Sequence, residues 1–144
     1  MADEQERGRI FDYFIALLFA QIEDVECVAK RDMQRGEVDV LADFTDASQR
    51  LHRLTGNFVP IENKWENSAT KQREIHIHHR KAEWISLQSS CLVSCFVSMA
   101  GFTSDAEQEI THCQNPKMIA LVHEDIDYLV NAQSVGDALR KMIS

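Results

Sequence analysis

Between Arg7 and Asp24 the apolar residues Ile10, Phe11, Phe14, Ile15, Leu17, Leu18 and Ile22 recur at intervals of three and four. That is the spacing of one face of a helix about four turns long. The period then changes. Val25, Cys27 and Ala29 alternate with polar residues, and after a polar DMQRG break Val38, Val40 and Ala42 alternate again. Alternation marks two short strands, and Gly36 marks the turn between them. Residues 45–57, TDASQRLHRLTGN, form a polar interruption of weak helical character that ends on a Gly-Asn turn signal. FVPIENKW reads as a third strand, in which Pro60 suggests an edge position or a bulge.

Further along, Ser68 is placed to cap a helix through TKQREIHIHHRKAEWISLQ, which carries Ile75, Ile77, Trp84, Ile85 and Leu87. CLVSCFVSM is a continuous apolar run of strand length, as expected of a strand buried on both faces. A helix opens after Gly101 with Thr103 or Ser104 as its cap. After the Asn115–Pro116 break, KMIALVH is a last buried strand, and Ile126–Val130 and VGDALRKMI close the chain in helix. This order predicts an α/β fold, a mixed sheet covered by helices on both faces. The two late strands are expected as parallel neighbours joined by a right-handed crossover. Phe11, Phe14, Phe19, Phe96 and Trp84 are spaced as core residues. Trp65 is read as packing beside the third strand, with stacking on a base as the other reading.

At 144 residues the chain is read as one domain, residues 1–144. Its 44% hydrophobic and 26% charged content is ordinary for a globular protein. The first apolar stretch stops at Glu23 and Asp24, too short for a membrane span, and its flanks are wrong for a secretory signal. A cytoplasmic protein with no membrane partner is the expectation. Four cysteines (Cys27, Cys91, Cys95 and Cys113) give no CxxC and are read as reduced packing residues. The net charge of −8 changes the picture most. Self-sufficient nucleic-acid binders are mostly basic, because neutralising phosphates supplies most non-specific affinity. Any phosphate chemistry must therefore rest on a local arrangement or on a partner that delivers the substrate.

Such an arrangement is present at the second and third strands. Asp39 is an acid inside the apolar strand GEVDVL. Glu62 and Lys64 are separated by one residue in VPIENKW, so on a strand they share a face. If the two strands pair, two carboxylates and a lysine converge. Two hard oxygen ligands suit Mg²⁺, with the backbone carbonyl of Asn63 as a third donor and waters or phosphate in the remaining positions. The ion polarises a phosphoryl oxygen and helps to generate a hydroxide nucleophile. The lysine stabilises charge in the transition state or positions the attacking water. Each element alone is common by chance, an acid in a strand or an E-x-K triplet included. Together, in this order and with 22 residues between Asp39 and Glu62, they are more specific.

GEVDVL, ENKW, FVSMAGFTSDA and IALVHEDIDYLV, taken in order, resemble the PD-(D/E)XK nuclease superfamily, and within it the Mrr-like restriction endonucleases. The resemblance covers roughly Arg9 to Val130. It implies a restriction-endonuclease-like core, αβββαβ, with a central mixed five-stranded sheet flanked by helices. It also implies Asp39, Glu62 and Lys64 as catalytic residues and Mg²⁺ as the cofactor, with Mn²⁺ able to substitute. Asp12 stands where such enzymes often carry a metal-proximal glutamate, and it is a further candidate ligand. The insertion at 45–57 departs from the family pattern, and a separate DNA-binding domain has no room in this chain.

The run KQREIHIHHRK supplies local positive charge after the catalytic strand. Lys71, Arg73, His76, His78, His79, Arg80 and Lys81 offer a basic face for a phosphate backbone, which Arg31 and Arg35 would extend. A transition-metal site on the histidines lacks a third ligand. The sequence thus suggests a Mg²⁺-dependent endonuclease acting on DNA in preference to RNA, working as a homo-oligomer or as a subunit of a larger assembly. Bacterial defence follows from the resemblance alone. A non-catalytic interaction subunit on the same scaffold and an RNA-directed nuclease with the same site are the alternatives.

Overall fold

The computed structural model describes residues 3–33 and 36–144, without the side chains of 31–33. In order the elements are α1 (Glu4–Phe19), β1 (Glu26–Met33), β2 (Gly36–Asp43), α2 (Gln49–Thr55), β3 (Phe58–Lys64), α3 (Gln72–Gln88), β4 (Val93–Ser98), α4 (Ser104–His112), β5 (Lys117–Leu121), α5 (His123–Val130) and α6 (Val135–Ile143). The strands form one open sheet in the order β1-β2-β3-β4-β5. β1, β2 and β3 pair antiparallel, while β3–β4 and β4–β5 are parallel. The mixed sheet and the parallel late strands follow the sequence pattern.

Alternation explains how one sheet holds two cores. Val59 and Ile61 of β3, Val93, Cys95 and Val97 of β4, and Ile119 and Leu121 of β5 are buried with α1, α5 and α6 residues such as Ile15, Leu129 and Leu139. Phe96 and Met118, from the opposite pleat of the same strands, are buried with Ile75 of α3 and Ala106 of α4. Continuous apolar runs are what a strand covered on both faces requires. The four cysteines are unpaired; Cys91, Cys95 and Cys113 are buried and Cys27 is half-buried. No helix among the described residues is long and apolar enough to cross a membrane.

Four local expectations are corrected. β3 is the middle strand, not an edge, despite Pro60. The ladder to β4 opens at Ile61, after the proline, so the missing N–H is not one that ladder uses. Residues 49–55 form a full helix, because the Ser48 hydroxyl accepts from the Leu51 N–H and supplies the cap. α3 starts at Gln72, later than a Ser68 cap allows. The Glu74 carboxylate instead accepts from the Lys71 N–H at 3.1 Å. Phe14, read as core, is 42% exposed, whereas Phe11, Phe19 and Phe96 are buried and Trp84 is half-buried.

Candidate active site

The β2–β3 ladder runs from Asp43↔Phe58 to Val40↔Ile61. Past that point the Asn63 N–H is donated to Asp39 Oδ2 at 2.9 Å, a side chain taking the place of a backbone acceptor. An aspartate at this position therefore satisfies a backbone donor and leaves its carboxylate among charged groups. Alternation from Ile61 puts Glu62 and Lys64 on the α3 side of the sheet and Asn63 on the α1 side.

On the α3 side Glu62 lies within hydrogen-bonding reach of the Asp39 carboxyl. Burial and then the Asp39 charge push the Glu62 carboxyl up to about 8, against the opposing pull of Lys81 and Lys64. A buried acid raised by a neighbouring carboxylate is one that a nearby cation would stabilise. The Lys64 ammonium has a single ion-pair partner among the described residues, Glu74 Oε1 at 3.5 Å. Burial would lower the Lys64 pKa, but the charges of Glu62, Glu74 and Glu66 outweigh it and raise it. Lys81 crosses from α3 and donates to the Glu37 carbonyl at 2.7 Å. Its stem runs over Gly36, where an added Cβ would come within 3.2 Å of Lys81 Cε and where φ is +117°. Glycine there meets both the turn geometry and the lysine's path.

On the α1 side Asp12 is buried. Asn63 Nδ2 donates to Asp12 Oδ1 at 3.0 Å, and the Lys30 ammonium lies 2.7 Å from Asp12 Oδ2. Lys30 also lies 3.3 Å from Asp39 Oδ1 and 3.5 Å from Glu37 Oε1. Burial raises the Asp12 pKa even though Lys30 and Asn63 pull it down. Lys30 has φ +57°, the left-handed region rarely used within a strand by a residue that carries a Cβ. That turn interrupts the alternation of β1 at the residue opposite Asp39.

Lys30 and Glu37 are site residues that sequence reasoning missed. A usable signal was present. With the turn read at Gly36, strand pairing puts Lys30 opposite Asp39, between the pairs Ala29↔Val40 and Arg31↔Val38.

The basic stretch of α3 does not form one face. Arg73, His76 and Arg80 are exposed on one side of the helix, with His76 Nδ1 3.5 Å from Glu109. Lys71 is exposed at the N-cap, and half-buried His79 lies 3.9 Å from Glu83. Lys81 turns toward Glu37 and Glu62. His78 adds no charge: it is 1% exposed, its ring packs edge-on against Phe96, and neither ring nitrogen makes a hydrogen bond. Arg31 pairs in β1 opposite Val38, but its side chain lies outside the described residues, as does Arg35 altogether. Trp65 packs on Phe11 with 5.4 Å between ring centroids, and the Arg7 guanidinium lies over the Trp65 ring, 5.9 Å from its centroid.

Among the described residues no three His, Cys, Asp or Glu side chains gather closely enough to hold a metal by themselves. A cation here would rest on Asp39, Glu62, the Asn63 carbonyl and solvent. Mg²⁺ accepts such a set, since it keeps several waters and needs only one or two carboxylates. The closeness of the Asp39 carboxyl to Glu62, which Asp39 raises, is the observation that fits a cation between them. Asp12 has both oxygens engaged by Asn63 and Lys30, so it is not a free ligand. No family model, curated protein or solved structure matches the chain.

Proposed function

We propose that this chain is a Mg²⁺-dependent endonuclease of the PD-(D/E)XK, Mrr-like type that hydrolyses DNA phosphodiester bonds. The observation that carries the reading is the meeting of Asp39 and Glu62 where β2 and β3 part, with Lys64 two residues on along the same pleat. The element order α1-β1-β2-β3-α3-β4, with α2 inserted before β3, is the one the resemblance leads one to expect. Mn²⁺ would substitute for Mg²⁺ at such an oxygen site.

In this reading Asp39, Glu62 and the Asn63 carbonyl would hold the ion, which would supply Lewis-acid charge to a phosphoryl oxygen. Asp39 is aimed by the Asn63 N–H, so its geometry is set before substrate arrives. Lys64, held by one distant carboxylate, can turn its ammonium to charge building on the phosphoryl oxygens. Arg73, His76 and Arg80 form a small cationic strip for the flanking backbone, with Lys71 nearby. Duplex cleavage needs two such sites, so a homo-oligomer or a larger assembly is part of the proposal, as is a role in bacterial defence. A non-catalytic subunit on this scaffold is the second reading. The net charge of −8 and the divided basic residues of α3 favour it.

The test is cleavage of plasmid, linear duplex, single-stranded DNA and RNA in Mg²⁺ or Mn²⁺, with an EDTA control. Asp39→Ala and Lys64→Ala are run in parallel. Metal-dependent DNA cleavage, lost by on the order of 10²–10³-fold in each variant, is expected. Cleavage that survives both substitutions rules out the site, and cleavage of RNA alone changes the substrate. No cleavage of any substrate selects the non-catalytic reading.

A further inference from the structure

Lys30 is placed as a divalent cation would be. Its ammonium meets three carboxylates from two elements, Asp12 of α1 at 2.7 Å and Glu37 and Asp39 of β2 at 3.5 and 3.3 Å. The Asp12 side chain is only 3% exposed, so its charge could not remain there without a nearby cation. The lysine backbone also adopts φ +57° at this residue, a conformation that costs roughly 1 kcal/mol or more outside glycine. An ordinary surface ion pair would not support that cost, since exposed pairs contribute about 0–1 kcal/mol.

We propose that Lys30 is a built-in cation that occupies the second cation position of this site, so that the chain binds a single divalent ion. The inference rests on the metal-dependent reading above. The first ion belongs on the Glu62 side of Asp39, where the Glu62 and Asp39 carboxyls lie beside each other. On the other side, the space between Asp12 and Asp39 is filled by an ammonium, a compact point charge with three donors. Lys30 is thus a positioning residue. It fixes Asp39 Oδ1 while the Asn63 N–H fixes Oδ2, and together they set the direction from which Asp39 meets an ion. Two-ion phosphodiester sites place one ion on each side of a shared carboxylate. Here one of those two places is held by the chain itself.

Bound Mn²⁺ is counted by electron paramagnetic resonance of the free ion, using the full chain as wild type, Lys30→Gly and Lys30→Gly/Asp12→Asn. Glycine accepts a positive φ, so this substitution empties the position without backbone strain. One ion per chain is expected for wild type, two for Lys30→Gly, and one again when Asp12 is also neutralised. Two ions in wild type overturn the proposal even if the single variant fails to fold. One ion in a folded Lys30→Gly chain also overturns it, while leaving the nuclease reading intact. No bound ion in any of the three overturns both.

Discussion

Asp39 separates two clusters of charge that share a residue and little else. On the α1 side Lys30 is surrounded by three carboxylates, and Asp12 is buried with both oxygens engaged. On the α3 side Lys64 has one partner at 3.5 Å, and Glu62 is held above its ordinary pKa by burial and then by the Asp39 charge. One cluster is closed around its lysine, and in the other the lysine's ion pair is looser, at 3.5 Å. A closed cluster contributes to folding, because breaking it strands a charge. An open one costs the fold something and keeps a lysine free to meet substrate, the arrangement expected where chemistry is done.

The comparison breaks most sharply at its two lysines. Lys64→Met should lower DNA cleavage on the order of 10²–10³-fold and barely move the urea midpoint, since an exposed pair is worth about 0–1 kcal/mol. Single-turnover rates and equilibrium unfolding on the same samples give both numbers. Lys30→Met should do the opposite for stability. It leaves Asp12 buried without its counter-charge, and a loss of about 3 kcal/mol is expected. If Lys64→Met destabilises more than Lys30→Met, the assignment of open and closed sides is reversed.

The open side was legible from sequence and the closed side was not. Glu62 and Lys64 sit two apart on one strand, so alternation alone puts them on one face, and Asp39 joins them once β2 and β3 are read as paired. Lys30 reaches Asp12 because the backbone turns left-handed at a non-glycine residue, which no pattern of apolar positions announces. The α3 histidines failed for a related reason. Charge was read from residue type, whereas His78 faces Phe96 in the core and His79 is half-buried beside Glu83. A run of basic residues in sequence is not a basic face on a helix, where successive residues are about 100° apart. The sheet order was readable because the early strands alternate while the late ones are continuously apolar. Pro60 was misjudged because a strand can be central and still begin one of its ladders after a proline.

His78 tests whether the α3 side really carries less positive charge than its sequence suggests. An ordinary histidine takes a proton near 6.5. Burial first, then Lys81, holds His78 down to about 3, against Asp39 and the Cys95 backbone, which favour the charged form, and with His79 also opposing it. Its folded-state affinity is depressed, so the unfolded chain binds the proton first as pH falls below 6.5. The stability that neutral His78 allows is fully present above that value. It is lost on the way to pH 3 at about 1.4 kcal/mol per pH unit. His78→Leu should remove this slope. Urea midpoints at pH 7.5 and 5.5 should therefore show wild type losing about 1 kcal/mol more than the variant. Equal losses would mean that His78 is charged and that the α3 side is more basic than its packing implies.

The smallest expected effect gives the sharpest reading of how free Lys64 is. Glu74 has two roles: its Oε2 accepts from the Lys71 N–H at the start of α3, and its Oε1 restrains Lys64 at 3.5 Å. Glu74→Gln separates them, because a carboxamide oxygen still caps the helix while the charge is gone. The fold should therefore lose no more than about 0.5 kcal/mol, the scale of an exposed ion pair. Removing a negative charge beside Lys64 should strengthen capture of a phosphate backbone, lowering KM for DNA about 2- to 5-fold with kcat little changed, the range that about 0.4–1 kcal/mol corresponds to. A fall in kcat with KM unchanged would instead make Glu74 the residue that aims Lys64, and the α3 side would then be nearly as preset as the α1 side.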